Sequence, residues 1–244
     1  MKNAAALAVL ALVVACGPKQ APPNDNAAPA VAALAAAHAS ADIAPLLTDD
    51  ALLIDGDARF TSSADASAEL AAAPFTVTSA VDSHHDVLRA KVARGTDERM
   101  LFGALDGTRF KLLVIVPLPK DGAATGGAVV DAYQAAWNEG DAVKRGALLD
   151  TAWSDDGRYV DPTADVTGRD ALVAQIDSFR GSLPGAKVDG TSAVATGDGA
   201  VHFRWNTSGL GGLVNVEGMD VGLTGADGRL TLIAGFFGAL ADAP

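Results

Sequence analysis

Residues 153–162 read WSDDGRYVDP, and this stretch decides the fold. Its second half, Arg158–Asp161, predicts a short strand, and Pro162 ends that strand because proline cannot donate to a sheet ladder. Upstream, residues 128–138 place their apolar side chains at helical spacing: Val129, Val130, Tyr133, Ala136 and Trp137. A helix therefore precedes the strand.

The residues around this core predict a mixed set of helices and strands. Glu139-Gly140-Asp141 ends the first helix on a glycine and begins the second on an aspartate cap. A third helix begins near Gly168 and is broken by Leu183-Pro184-Gly185. Four strands follow at 187–196, 200–207, 213–223 and 229–237, with the hairpin signal Asp227-Gly228 before the last. The order predicts an α+β unit: a curved antiparallel sheet with three helices packed on its concave side.

These motifs resemble the nuclear transport factor 2-like, or SnoaL-like, superfamily over residues 128–241. The resemblance rests on the motifs Trp137–Asp141, Trp153–Pro162, Gly168–Leu172, Gly218–Asp220, Asp227–Leu230 and Gly235–Phe237. It implies a cone-shaped unit whose open end leads to an apolar pocket. Members of the superfamily include ketosteroid isomerases, polyketide cyclases and limonene epoxide hydrolases, and many others only bind or assemble, so the fold does not fix the function.

The first half of the chain repeats this pattern faintly. Residues 48–55, TDDALLID, parallel 154–161, SDDGRYVD, and Asp106-Gly107 stands where Asp227-Gly228 stands. We therefore expect two cone-shaped units: a degenerate copy over 30–119 and a complete copy over 128–241, joined by a linker at 120–127. An unrelated domain over 30–119 is the alternative.

The N-terminus has the features of an export signal. Lys2 precedes an apolar run, Ala4–Val14, that is too short to cross a bilayer. The run ends Val13-Val14-Ala15-Cys16, which resembles the lipobox of bacterial lipoproteins. The resemblance implies a signal peptide over 1–16 and lipidation of Cys16, while the proline-rich residues 17–29 predict a flexible tether. An ordinary secretory signal is the alternative.

Composition excludes several classes of function. The net charge is −12, which disfavours nucleic acid as a partner. The single cysteine rules out an intramolecular disulfide, and four scattered histidines argue against a zinc site. No glycine-rich phosphate loop is present, so we expect neither a cofactor nor a metal. His84-His85-Asp86 lie next to one another on a predicted strand, and we expect a solvated strand end there.

Three residues match the isomerase pattern of the superfamily. The resemblance places Tyr133 as an oxyanion-hole donor, Asp161 as the general base and Asp220 as a protonated acid that donates a second hydrogen bond. Neutral carboxylic acids of this kind occur in apolar sites, as in ketosteroid isomerase. The alternatives are a turn-forming Asp161, an ordinary polar strand residue at Asp220 and a core tyrosine.

Four residues are candidates for the walls of the pocket. We expect Trp137 to line the pocket, together with His202, Arg204 and Asn206. Those three alternate with Phe203 and Trp205 along one strand, and whichever set points inward lines the pocket. The epoxide hydrolase pattern is weaker, because Asn206 stands where that family needs an aspartate. When the two repeats are aligned, Leu34 of the first unit takes the position of Tyr133, and Leu101 or Met100 takes that of Asp220. Only Asp55, in the position of Asp161, keeps its residue type.

Two functions follow. The first is a lipid-anchored protein of the bacterial cell envelope, on the periplasmic face or in the outer membrane, that binds a small apolar ligand or a partner protein without turnover. The second is a cofactor-free isomerase or cyclase that uses Asp161 as its base. In either case, the two units could form an internal pseudo-dimer, or the chain a homodimer.

Overall fold

In the computed structural model, which describes residues 20–120 and 127–241, the chain divides into two compact units. The N-terminal unit is built mainly from Pro22–Leu118, and the C-terminal unit from Pro119–Val194 and Val201–Gly238. The predicted signal peptide, Cys16, the start of the tether and most of the linker lie outside the described residues. No helix in the described ranges is long and apolar enough to cross a membrane.

The N-terminal unit combines helices with a seven-stranded sheet. Its helices are α1 (Ala27–Ala36), α2 (Ser40–Ile43) and α3 (Ser63–Ala72), with a 3-10 turn at Ala44–Leu46. Its strands are β1 (Leu47–Asp55), β2 (Ala58–Phe60), β3 (Thr76–Val77), β4 (Asp82–His84), β5 (Val87–Arg94), β6 (Asp97–Asp106) and β7 (Arg109–Pro117).

The C-terminal unit has the same composition of elements. Its helices are α4 (Ala128–Asn138), α5 (Ala142–Ala152) and α6 (Arg169–Ser182), with a 3-10 turn at Leu210–Gly212. Its strands are β8 (Trp153–Asp161), β9 (Ala164–Thr167), β10 (Lys187–Gly190), β11 (Ala195–Thr196), β12 (Ala200–Gly209), β13 (Val214–Thr224) and β14 (Leu230–Phe237).

Local sequence explains the boundaries of these elements. Asp141 caps α5, because its Oδ1 accepts hydrogen bonds from the backbone N–H of Val143 and Lys144 at 2.9 and 3.0 Å. Gly228 has a φ of +81° in the turn between β13 and β14, a conformation that glycine adopts without steric cost. The buried side of α4 carries Val130, Tyr133, Ala136 and Trp137, as its helical spacing predicts.

The two sheets share one strand order. The N-terminal sheet runs β2-β1-β7-β6-β5-β3, with β4 also paired to β5; the C-terminal sheet runs β9-β8-β14-β13-β12-β10, with β11 also paired to β12. The first strand of one sheet thus corresponds to the first strand of the other, and so on through all seven. This correspondence confirms the α+β class and agrees with the predicted tandem arrangement.

One part of the fold prediction is wrong: neither sheet is purely antiparallel. In each unit the first long strand pairs with the last in parallel, β1 with β7 and β8 with β14. The hairpin signals in the sequence concern strands that follow one another, which must be antiparallel across a tight turn. The first and last strands are joined by the rest of the unit, and a long connection leaves their relative direction free.

Helices cover one face of each sheet, and the hydrophobic core of each unit lies between the helices and that face. In the N-terminal unit this core joins Val31 and Leu34 of α1 to strand residues such as Leu88 and Leu101. In the C-terminal unit it is strongly aromatic: Tyr133, Trp137, Trp153, Tyr159, Phe203 and Trp205. The site residues of the C-terminal unit lie on this helix-covered face.

The tether is shorter than predicted at its C-terminal end. Helix α1 begins at Ala27, inside the predicted tether 17–29. Asn24 donates to the carbonyl oxygen of His85 at 2.8 Å, and its own N–H donates to Ser83 at 3.0 Å. The proline content of the segment predicted an extended tether. The hydrogen bonds of Asn24 and the start of α1 instead make residues 24–29 part of the N-terminal unit.

Candidate functional site

A row of residues crosses three neighbouring strands of the C-terminal sheet. Asp220 on β13 pairs directly with Gly235 on β14. Asp161 ends β8, one residue after Val160, which pairs with Ala234 of β14. A Cβ atom at Gly235 would lie 3.0 Å from Oδ1 of Asp220 and 3.5 Å from the Cβ of Asp161. The two carboxylates therefore flank the one position in the row that has no side chain.

Helix α4 brings Tyr133 to this row. The Tyr133 hydroxyl donates to Oδ2 of Asp220 at 3.4 Å, and both side chains are buried. Trp137, one turn further along α4, stands edge-on to the Tyr133 ring with centroids 6.3 Å apart. A tyrosine hydroxyl can both donate and accept, so Tyr133 can pair with either protonation state of Asp220. Tyr133 and Asp220, two of the three residues of the isomerase pattern, are therefore in contact.

Burial changes the acidity of both groups. Burial raises the pKa of Asp220 to about 7, with a further rise from the charge of Asp161, while hydrogen bonds from Trp205 and Tyr133 oppose it. Burial, followed by the charge of Asp220, raises the pKa of Tyr133 well above its usual value. Near neutral pH, the site therefore holds a neutral phenol and a carboxyl group that is partly protonated.

Asp161 is held by four hydrogen bonds. Its Oδ1 accepts from the backbone N–H of Thr163 at 2.6 Å, from the Thr163 hydroxyl at 2.8 Å and from the N–H of Ala164 at 2.7 Å. Its Oδ2 accepts from the Tyr159 hydroxyl at 2.6 Å. A carboxylate offers about four lone-pair sites. Asp161 thus closes the turn between β8 and β9 through Oδ1, while Oδ2 accepts only from Tyr159.

Strand β12 presents Phe203 and Trp205 to the site. Trp205 donates from Nε1 to Oδ1 of Asp220 at 2.7 Å, and the Phe203 ring lies edge-on to Tyr133 with centroids 6.4 Å apart. Because side chains alternate along a strand, His202, Arg204 and Asn206 lie on the opposite face of β12. The expectation that those three line the pocket therefore needs correction: the inward set is the other one.

Aromatic rings surround the polar row. Trp137 lies 5.4 Å from Tyr159 and 5.5 Å from Phe179, measured between ring centroids. Trp153 is stacked on Tyr133 at 6.0 Å, and its indole N–H is buried with no acceptor within the described part of the chain. Trp137 therefore lies beside the polar row.

The equivalent row of the N-terminal unit has lost this chemistry. Ile115 of β7 pairs with Asp55 of β1 and with Leu101 of β6, so Leu101 holds the position of Asp220. Leu34, predicted opposite Tyr133, is buried on α1. Asp55 receives a bidentate ion pair from Arg94, at 2.8 and 2.5 Å. Both oxygens of Asp55 are therefore engaged by the guanidinium group of Arg94.

No metal centre is found near the histidine pair. Among the described residues, no group of three or more His, Cys, Asp and Glu side chains could hold a metal ion. His84 is 2% exposed, so the expected solvated strand end is wrong there. His85 follows with a φ of +50°, which turns the chain between β4 and β5, and Asp86 pairs with Lys111 at 2.7 Å.

Two partners in the site were not identified from the sequence. Tyr159 stands two residues before Asp161, so strand alternation alone places both on one face. Strand alternation also applies to Trp205. It lies on the same face as Phe203, and only one face of their strand can be covered by the helices. The larger and more apolar set was the better choice for a helix-covered face.

Comparison with known proteins supports the fold of the C-terminal unit. Residues 130–233 match the family model described as the SnoaL-like domain. No curated protein sequence matches the chain at a significant level.

Solved structures of this type resemble the chain over less than half its length. A protein of the SnoaL-like family from Agrobacterium tumefaciens is 29% identical over 46% of this chain and 95% of its own, with a TM-score of 0.43. A protein with a ketosteroid isomerase-like fold from Catenulispora acidiphila is 19% identical over 46% and 85%, with a TM-score of 0.39. An NTF2-like protein of unknown function from Mesorhizobium loti is 17% identical over 46% and 88%, with a TM-score of 0.37. On the evidence of the family model, residues 130–233 form a SnoaL-like domain.

Proposed function

We propose that the C-terminal unit binds a small apolar molecule through one oxygen atom, with Tyr133 and protonated Asp220 as its two hydrogen-bond donors. One observation carries this proposal. The Tyr133 hydroxyl and Oδ2 of Asp220 are 3.4 Å apart, beyond the usual 2.5–3.0 Å of an O–H···O bond. Two buried donors at this separation satisfy each other poorly, and a single acceptor oxygen would satisfy both.

The surroundings of this pair favour an apolar ligand. The rings of Trp137, Trp153 and Phe203 contact Tyr133. The buried N–H of Trp153 has no acceptor among the described residues, and a second polar atom of a ligand is one group that would satisfy it. Sites for small molecules typically combine such apolar walls with a few polar groups.

The experiment is a titration of the full chain with 2-naphthol, a small apolar phenol whose fluorescence reports its environment. We expect Tyr133→Phe and Asp220→Asn each to weaken binding about tenfold, the typical value of one hydrogen bond. Glu217→Gln is the matched control, because Glu217 is an exposed carboxylate on the same strand as Asp220. Equal affinities in all four proteins would overturn the proposal.

A second candidate is a cofactor-free isomerase or cyclase with Asp161 as general base. The observation in its favour is that Asp161 and Asp220 flank Gly235 together. The hydrogen bonds to Asp161 argue against it, because three of them engage Oδ1 in the turn and the Tyr159 hydroxyl already donates to Oδ2, the oxygen that would have to accept the proton. Binding without turnover is therefore the function we favour.

We also propose that the chain is anchored to a bacterial envelope membrane through Cys16, on the periplasmic face or in the outer membrane. The support is the apolar run that ends at the only cysteine of the chain. A lipid anchor would place the ligand site near a membrane, where apolar molecules concentrate. The proposed ligand and the proposed anchor are compatible but independent of one another.

A further inference from the structure

Trp205 contacts the acid from the side opposite to Tyr133. Its Nε1 donates to Oδ1 of Asp220 at 2.7 Å, whereas the tyrosine hydroxyl reaches Oδ2. Trp205 lies on β12 and Asp220 on the neighbouring strand β13, and both side chains are buried. Each oxygen of the carboxyl group therefore has a different partner.

Gly218 and Phe237 fix the position of the indole ring. A Cβ at Gly218 would lie 2.2 Å from Cζ2 of Trp205 and 2.5 Å from Cη2, so the ring lies directly over the glycine backbone. Any larger residue at this position would displace it. The ring of Phe237, which pairs with Gly218 across β13 and β14, stands edge-on to the indole with centroids 5.8 Å apart.

The chemistry of the indole distinguishes the two carboxyl oxygens. An indole N–H donates and cannot accept, so the oxygen that it contacts must act as an acceptor. In a neutral carboxylic acid only one oxygen carries the proton. A proton on Oδ1 would leave the N–H of Trp205 with a poorer acceptor, whereas a proton on Oδ2 faces the Tyr133 hydroxyl, which can turn to accept it.

We propose that Trp205, held over Gly218, is a positioning residue that keeps the acid proton of Asp220 on Oδ2. This inference rests on the proposed function, because it names the residue that orients the second donor toward the ligand. It also narrows the ligand class. The ligand atom bound between Tyr133 and Oδ2 must accept hydrogen bonds, as a ketone or phenolate oxygen does and an ammonium group does not.

Other titratable groups also act on Asp220. Tyr133 faces it from α4, Asp161 lies beside it on the far side of Gly235, and Tyr159 on β8 is close enough to interact with its charge. None of these groups donates a hydrogen bond to Oδ1; among the described residues, only Trp205 does so. Removing the indole N–H therefore changes Oδ1 selectively.

The test follows the side-chain carboxyl carbon of Asp220 by NMR, in the full chain labelled with 13C at aspartate. Asp220→Asn assigns the signal. We expect Trp205→Phe to raise the titration midpoint by about one pH unit, because the lost hydrogen bond favoured the ionised form. The pH profile of 2-naphthol binding should move in the same direction, and the affinity at pH 6 should fall several-fold.

Gly218→Ala is the second variant, and it keeps the tryptophan. Its Cβ must displace the indole, so we expect the same rise in the midpoint. In the double variant Trp205→Phe/Gly218→Ala the two shifts should not add, because both act through one contact. Glu217→Gln, on the same strand, should leave the midpoint unchanged.

The outcomes separate this inference from the proposed function. An unchanged Asp220 midpoint in both Trp205→Phe and Gly218→Ala would overturn the positioning role, even if 2-naphthol binds. A shifted midpoint together with no binding of 2-naphthol by any protein would overturn the proposed function and leave the positioning role intact. Circular dichroism of each variant identifies those that fold.

Discussion

Asp220 and Gly235 face each other across β13 and β14, and the glycine leaves the space that the carboxyl group occupies. Oδ1 of Asp220 lies 3.0 Å from the point where a Cβ at Gly235 would stand. The acid accepts the N–H of Trp205 with this same oxygen. The glycine is thus part of the site, although it has no side chain of its own.

Gly235→Ala should destabilise the protein by about 1–3 kcal/mol, because the new methyl group overpacks a buried site. Urea denaturation of the variant and the parent measures this change. The control is Gly181→Ala in α6, where a Cβ meets nothing within 4 Å. That substitution should stabilise by about 0.5–1 kcal/mol, as expected for alanine replacing glycine in a helix. A neutral or stabilising Gly235→Ala would show that the row is loosely packed.

Asp220 should make stability depend on pH. Its pKa is raised from 3.8 to about 7, so between these values the folded chain binds more protons than the unfolded chain. The unfolding free energy therefore falls as pH rises through this window and levels off above it. Relative to Asp220→Asn, which does not titrate, the slope should approach about 1.4 kcal/mol per pH unit at most. Denaturation of both proteins at pH 4, 5.5, 7 and 8.5 measures the difference, and parallel curves would contradict the prediction.

Asp161 should matter more for the turn than for chemistry. Asp161→Ala leaves the N–H groups of Thr163 and Ala164 without their acceptor, at a cost of about 1–3 kcal/mol for each group. Asp161→Asn keeps one acceptor oxygen for both, so it should cost clearly less. Thermal denaturation compares the two variants.

The same asparagine variant separates the two candidate functions. If Asp161 is a general base, Asp161→Asn should lose about 10²–10⁴ in rate on a ketone substrate while its folding is preserved. If the site only binds, its affinity for 2-naphthol should be nearly that of the parent. A large loss of turnover in a well-folded Asp161→Asn protein would favour the enzyme.

In the N-terminal unit, Arg94→Met should be strongly destabilising. It leaves Asp55, whose side chain is 4% exposed, without its bidentate partner. Removing one member of a buried ion pair costs about 3–5 kcal/mol, while an apolar replacement of both members is often nearly neutral. The double variant Asp55→Leu/Arg94→Leu should therefore be more stable than Arg94→Met in urea. The opposite order would mean that Arg99, 4.0 Å from Asp55, takes over as the partner.

Cys16→Ala should release the protein from membranes, if the chain is a lipoprotein. The proposed thiol is the only acyl site of this type in the sequence. Fractionation of cells, followed by a high-salt wash of the membrane pellet, measures the release. A variant that still pellets after the wash would refute the lipid anchor.

Local sequence patterns indicate where Tyr133, Asp161 and Asp220 lie in the fold, but not which residues contact them. Tyr133 lies on a helical stripe, Asp161 precedes a proline and Asp220 lies on a patterned strand, so local periodicity determines the side on which each one lies. The choice of Trp205 over Arg204 depends on which face of β12 the helices cover, and this is a tertiary property. The hydrogen bonds to Asp161 could not be predicted either, because they depend on the exact turn between β8 and β9.

The matching strand order was foreseeable, but the parallel pairs were not. Asp106-Gly107 and Asp227-Gly228 mark equivalent hairpins, so a repeat was visible in the sequence. The pairing of β1 with β7 joins residues far apart in the chain, and no local signal encodes it. His84 and Asn24 illustrate the same limit, since their environment comes from contacts distant in sequence.

The shared strand order of the two units has a consequence for stoichiometry. The N-terminal unit has Leu101 and Ile115 where the C-terminal unit has Asp220 and Gly235. The N-terminal unit therefore lacks the acid of the proposed ligand site. Saturation with 2-naphthol should therefore occur at one molecule per chain rather than two. The N-terminal unit thus serves as an internal control: it has the same strand order as the C-terminal unit but lacks the acid.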